Sequence, residues 1–82
     1  MEEVYIKKYW PDENILFYLH FQNGLAVRQI EISSDNKVFL STEEPRQGDF
    51  ILFDQSLEDL EVDRKDFITQ GAFEAVWAKK QQ

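Results

Sequence analysis

Apolar and polar positions alternate with a period of two along the front of the chain and change to helical spacing near its end. Val4 and Ile6 face one way and Tyr5, Lys7 and Tyr9 the other, which predicts a strand running to Trp10. Trp10-Pro11-Asp12-Glu13-Asn14 is turn chemistry: Pro11 lacks a donor, and the Asp and Asn side chains can bond their own backbone. Ile15, Phe17, Leu19 and Phe21 then share one face, and Leu16, Tyr18 and His20 the other. A strand apolar on both faces belongs in the middle of a sheet. Asn23-Gly24 suits a two-residue type I′ hairpin, where both central residues need positive φ. It predicts antiparallel pairing with Leu25–Ile32. Apolar parity slips inside that strand, from Leu25 and Val27 to Ile30 and Ile32. A bulge near Arg28-Gln29 would restore the register. Ser33-Ser34-Asp35-Asn36 turns the chain into Lys37-Val38-Phe39-Leu40.

Ser41–Asp49 is polar, carries Pro45 and Gly48, and reads as a loop; Phe50-Ile51-Leu52-Phe53 reads as another strand. Asp54–Asp63 holds five acids and no base, with Leu57, Leu60 and Val62 as apolar anchors, and reads as a loop or helical turn lying on the core. Asp63 and Thr69 can each cap the last helix. A start at Asp63 puts Gly71 in mid-helix, at about 1 kcal/mol, so Thr69 is the better cap. Asp66-Phe67-Ile68 is then a short strand, and Ala72, Phe73, Val76 and Trp77 form the buried stripe. Lys79 and Lys80 suit the negative end of the helix. The expected architecture is one α+β domain over residues 1–82: an antiparallel sheet of four to five strands with a C-terminal helix on one face. Phe73 and Trp77 are expected to be buried against the row Phe17, Leu19 and Phe21.

With 82 residues, 43% hydrophobic and 30% charged, the chain can build one small core. About 64% of its surface would be buried on folding. The absence of cysteine removes disulfides, thiol catalysis and thiolate-ligated metals, and a single histidine removes the usual zinc sets. No metal or cofactor is expected. Met1-Glu2-Glu3 lacks the basic start of a secretory signal. The longest apolar run, Ile15–Leu19, falls far short of the roughly 20 residues of a membrane span. A cytoplasmic location follows as the expectation. The net charge of −7 opposes direct binding to nucleic acid or to an anionic membrane.

Tyr5-Ile6-Lys7-Lys8-Tyr9-Trp10, Asp12-Glu13, Ala26-Val27-Arg28-Gln29-Ile30-Glu31-Ile32, Asp35-Asn36 and the closing Phe73, Val76 and Trp77 together resemble a family of small acidic bacterial and phage proteins catalogued as a domain of unknown function. The likeness spans nearly the whole chain. Asn14 stands where that pattern has proline and Asn36 where it has glycine, both still turn formers. The resemblance implies the same α+β fold and no particular activity.

Charge is distributed unevenly. Glu43 to Asp66 contain nine acids against three bases, which is −6 of the total −7. Within that stretch Asp54, Glu58, Asp59, Glu61 and Asp63 are the candidate partner-binding residues, since such a field steers a basic protein toward it. Asp59-x-Glu61-x-Asp63 resembles the start of a calcium loop, but Arg64 and Gln70 stand where the loop needs its glycine and glutamate. His20 has no nucleophile or glycine-rich element beside it in the sequence and reads as a hydrogen-bonded structural histidine. Tyr5, Tyr9 and Trp10, beside Lys7 and Lys8, are secondary candidates for an aromatic contact surface. The functional expectation is a non-enzymatic, protein-binding domain, with an inhibitor of a basic partner such as a nuclease as its sharpest form (an immunity protein, antitoxin or anti-defence protein). The alternative is an interaction module or subunit with an apolar interface, including a homodimer.

Overall fold

A computed structural model describes residues 2–81. Strands β1 (Glu3–Trp10), β2 (Ile15–Gln22), β3 (Leu25–Ile32) and β4 (Lys37–Ser41) form a consecutive antiparallel meander. A short ribbon, β5 (Arg46–Gln47) with β6 (Phe50–Ile51), follows. The chain then passes through two single-turn 3₁₀ helices, Leu57–Asp59 and Arg64–Asp66, into β7 (Phe67–Ile68) and helix α1 (Gln70–Trp77). The main sheet has the order β4-β3-β2-β1-β7, with β7 closing part of the β1 edge through Tyr5 and Ile6. This is the expected α+β sheet with one C-terminal α-helix, to which the ribbon is added. Among the described residues no helix is long and apolar enough to cross a membrane.

Local chemistry explains the meander. Asn23 and Gly24 take φ of 52° and 86°, as a type I′ turn requires. Nothing lies within 4 Å of a Cβ built on Gly24, so glycine is favoured there by its φ and not by crowding. The parity slip in β3 is a bulge one residue earlier than expected. His20 pairs with Arg28 but Phe21 pairs with Ala26, leaving Val27 as the extra residue. That insertion sends Arg28, Ile30 and Ile32 to one face and Gln29 and Glu31 to the other. At the helix start, the Thr69 hydroxyl accepts from Ala72 N at 3.1 Å, so Thr69 is the cap.

The sheet has two cores. Tyr5, Tyr18, Ile30, Phe39 and Phe73 form one, with Val76 and Trp77 packed against it. Ile6, Leu19, Phe21 and Ala26 form the other, beneath Leu52, Phe53, Leu57, Leu60 and Val62. The helix therefore lies on the opposite face from the one expected: Phe73 and Trp77 meet the Tyr18 row, whereas Leu19 and Phe21 lie under the acidic segment. A strand apolar on both faces does not reveal which cover takes which side. Trp77 is also only half-buried, whereas Phe73 is fully enclosed. The expected strand Phe50–Phe53 is cut to Phe50–Ile51. Leu52 N–H donates to Pro45 O at 2.8 Å, and Phe53 N–H donates to the side-chain Oε1 of Gln29 at 2.8 Å, so a side-chain amide takes over from a strand ladder.

Candidate functional site

Asp54–Asp63 forms a strap across the second core, held along its length by backbone as well as apolar contacts. Its start is fixed by the Phe53–Gln29 bond. Midway, Leu57 N–H donates to Gly24 O at 2.7 Å and Ser56 bridges to Leu25, tying the strap to the β2–β3 hairpin. Its end meets Asp66, which is buried, accepts from Asp63 N–H at 2.9 Å and lies 3.4 Å from Lys8 Nζ. The Asp63 N–H is the largest influence holding the Asp66 carboxyl below its ordinary range, and Lys8 adds to it. Asp54, Glu58, Asp59, Glu61 and Asp63 are all exposed on this fixed segment. Asp59 has a local task as well, since its Oδ2 accepts from Ser56 Oγ at 3.0 Å. Among the described residues, no group of three or more His, Cys, Asp or Glu side chains is disposed to hold a metal ion.

The secondary aromatic set is split by strand alternation. Tyr5 is buried, its ring stacked on His20 at 4.4 Å, and is a core residue instead of a contact residue. Tyr9 and Trp10 are exposed but leave β1 on opposite faces. The Tyr9 hydroxyl donates to Asn14 across the β1–β2 turn, and Trp10 packs against Phe17 with ring centroids 4.8 Å apart.

His20 lies in a polar chain that crosses three strands and reaches the helix. Arg28 Nε donates to His20 Nδ1 at 3.0 Å, which leaves the proton on Nε2 to be donated to Glu3 Oε1 at 2.8 Å. The Arg28 guanidinium also grips Glu74 with two bonds of 2.9 and 2.8 Å. Its hydrogen bond is the main cause of a lowered Glu74 pKa, as the His20 bond is for Glu3. Both imidazole nitrogens are committed, consistent with a structural histidine.

A second feature, which sequence reasoning misses, lies beneath the ribbon and strap. Gln29 and Glu31 are polar side chains on the apolar second face, and both are buried. Gln29 Nε2 donates to Glu31 Oε2 at 2.7 Å and to Ile51 O at 3.3 Å, so this amide links the sheet floor to the ribbon. Glu31 lines an apolar cavity of about 310 Å³ together with Trp10, Phe17, Phe50 and Phe53. The available signal is the parity slip, which puts Gln29 and Glu31 in line with Leu19 and Phe17. Burial raises the Glu31 pKa, with repulsion from Glu13 adding to it and the Gln29 bond opposing it.

The raised pKa has a definite sign for stability. The folded chain keeps the Glu31 proton to a higher pH than the unfolded chain does, so stability is lost as pH rises through the folded-state value. Glu31→Gln keeps the shape and removes the charge. It should raise the melting temperature at about pH 8 and change it little at about pH 4, near the ordinary glutamate value. Each kcal/mol recovered moves the midpoint by about 4–8 °C in a domain of this size. Thermal melts at the two pH values check this; an unchanged or lower midpoint at the higher pH would show that the buried carboxylate costs nothing.

No family model matches this chain, and no match was found among curated proteins or solved structures.

Proposed function

We propose that this domain binds a basic protein partner through the acidic strap, acting without catalysis and most simply as an inhibitor that occupies a basic cleft such as that of a nuclease. The observation carrying the reading is that Asp54, Glu58, Asp59, Glu61 and Asp63 are exposed on an anchored segment, and none of the ion pairs found among the described residues uses any of them. Surface acids kept only for solubility need no such concentration. Anchoring by the Gln29, Gly24 and Lys8 contacts lowers the ordering cost of binding, because the charged face is already held in place.

An apolar contact is the second reading. Trp10 and Ile51, 41% and 49% exposed, lie beside the cavity and offer a seat for an apolar group. Salt separates the two readings. Charge-steered association should slow by roughly tenfold or more between low and high salt, as the screening length falls from about 10 Å at 0.1 M to about 3 Å at 1 M. Stopped-flow association with a nona-arginine peptide, used as a defined basic probe, reads that slope. A rate indifferent to salt would remove the acidic strap from the binding step and leave the apolar contact.

A further inference from the structure

The Glu31 cavity joins features that an ordinary core void lacks. Its apolar walls set four aromatic rings, Trp10, Phe17, Phe50 and Phe53, beside Leu19, Ile51, Leu52 and Leu60, and they hold an acid, Glu31, that is only 9% exposed. Glu31 Oε2 accepts the Gln29 amide at 2.7 Å, whereas no hydrogen bond to Oε1 occurs among the described residues. Two further acids, Asp49 and Asp54, line the same cavity. The base that lines it, Lys8, has its ammonium 3.4 Å from Asp66. Ion pairing and aromatic faces favour a cation, and a neutral apolar guest would leave Glu31 Oε1 without a donor.

We propose that this cavity receives the guanidinium of an arginine side chain from the protein partner, with Glu31 Oε1 as its acceptor and the aromatic walls enclosing its flat faces. The proposal rests on the reading of the domain as a binder of basic proteins and adds a defined subsite to it. The volume of about 310 Å³ lies at the low end of small-molecule pockets, which are roughly 300–1,000 Å³, and suits one long side chain. Arginine fits better than lysine because guanidinium is more weakly hydrated, stacks on aromatic rings and stays charged when buried. The arrangement also gives Glu31 a role that its cost to the free domain does not explain: a bound guanidinium stabilises the carboxylate that burial penalises.

The test is an NMR titration of the full chain with Nα-acetyl-arginine N-methylamide, run beside the corresponding lysine and norleucine amides. The arginine probe should give saturable shifts at Gln29, Glu31 and the Trp10 indole, and bind more tightly than either competitor. Glu31→Gln, which should fold at least as well as the wild type, should weaken arginine binding by about tenfold or more, the loss of one charge-assisted hydrogen bond. Equal binding of norleucine amide, unchanged affinity in Glu31→Gln, or no saturable shift at these residues would overturn the cavity as a cation site. Lysine amide binding as tightly as arginine would overturn the choice of guanidinium. Reversal of Glu58, Asp59 and Glu61 to lysine leaves Glu31 and the aromatic rings in place, so the arginine probe should still saturate the cavity and still bind more tightly than norleucine amide even where strap-dependent association is lost, and failure of the strap and failure of the cavity give different results.

Discussion

Phe73→Ala should cost about 3–5 kcal/mol and leave the domain unfolded or close to it. Phe73 is fully buried, and its ring lies 5.5 Å from Tyr5 and 5.7 Å from His20, so it is the side chain that seats α1 on the sheet. The Arg28 guanidinium lies 4.8 Å over the same ring. Truncation would therefore open a cavity where the helix, two strands and the polar chain meet, with few neighbours free to collapse into it. Small domains sit near the lower end of the usual 5–15 kcal/mol of stability, so such a loss takes most of it. Trp77→Ala should cost only about 2 kcal/mol, because the indole is half-buried and already partly in water. Urea unfolding followed by circular dichroism compares them. Equal losses would mean that the helix is seated by its last turn instead of by Phe73.

Arg28→Ala should cost about 2–3 kcal/mol, a large loss for a polar side chain. Its removal leaves buried His20 Nδ1 without a donor, which alone is worth about 1–3 kcal/mol. It also strips the guanidinium from above Phe73 and Trp77, where it lies 4.8 and 5.0 Å from the ring centres. The pair with Glu74 adds less, because Glu74 is 41% exposed and water screens the attraction. Arg28→Lys keeps the charge but has no planar fork to hold His20 and Glu74 together, so it should recover only part of the loss. Full recovery by lysine would show that charge, and not the fork geometry, is what matters at this position. The same urea unfolding measures all three proteins.

Local chemistry is legible in the sequence wherever a few adjacent residues decide the outcome. Asn23-Gly24 specifies its turn, Thr69 its cap, and the parity slip in β3 a bulge that lies one residue from its expected place. The leucine and valine spacing in the strap matches its anchoring on the core. What is not legible depends on covers supplied from far along the chain. β2 is apolar on both sides, so only the path through β7 and Thr69 decides that α1 covers Tyr18 and the strap covers Leu19 and Phe21. Gln29 and Glu31 alternate with Ile30 and Ile32 as any half-exposed strand would. They become buried because the ribbon and strap, far along the chain, fold over them, with the Phe53–Gln29 bond as the tie. Tyr5 reads as a surface aromatic for the same reason, since its cover, Phe73, comes from near the end of the chain.

Binding to a basic partner through the strap, and not through net charge alone, is tested most directly by moving the same charge change to different places. One variant reverses Glu58, Asp59 and Glu61 to lysine. The control reverses Asp12, Asp35 and Glu43, which are exposed on the β1–β2 turn, the β3–β4 turn and the loop after β4. Each reversal adds two charges, so three of them carry both variants from −7 to −1. The association rate with the nona-arginine peptide at low salt should fall by roughly tenfold or more in the strap variant and clearly less in the control, since a local field steers encounter more than a distant one. Equal falls in the two variants, with both still folded by circular dichroism, would contradict the strap as the binding surface.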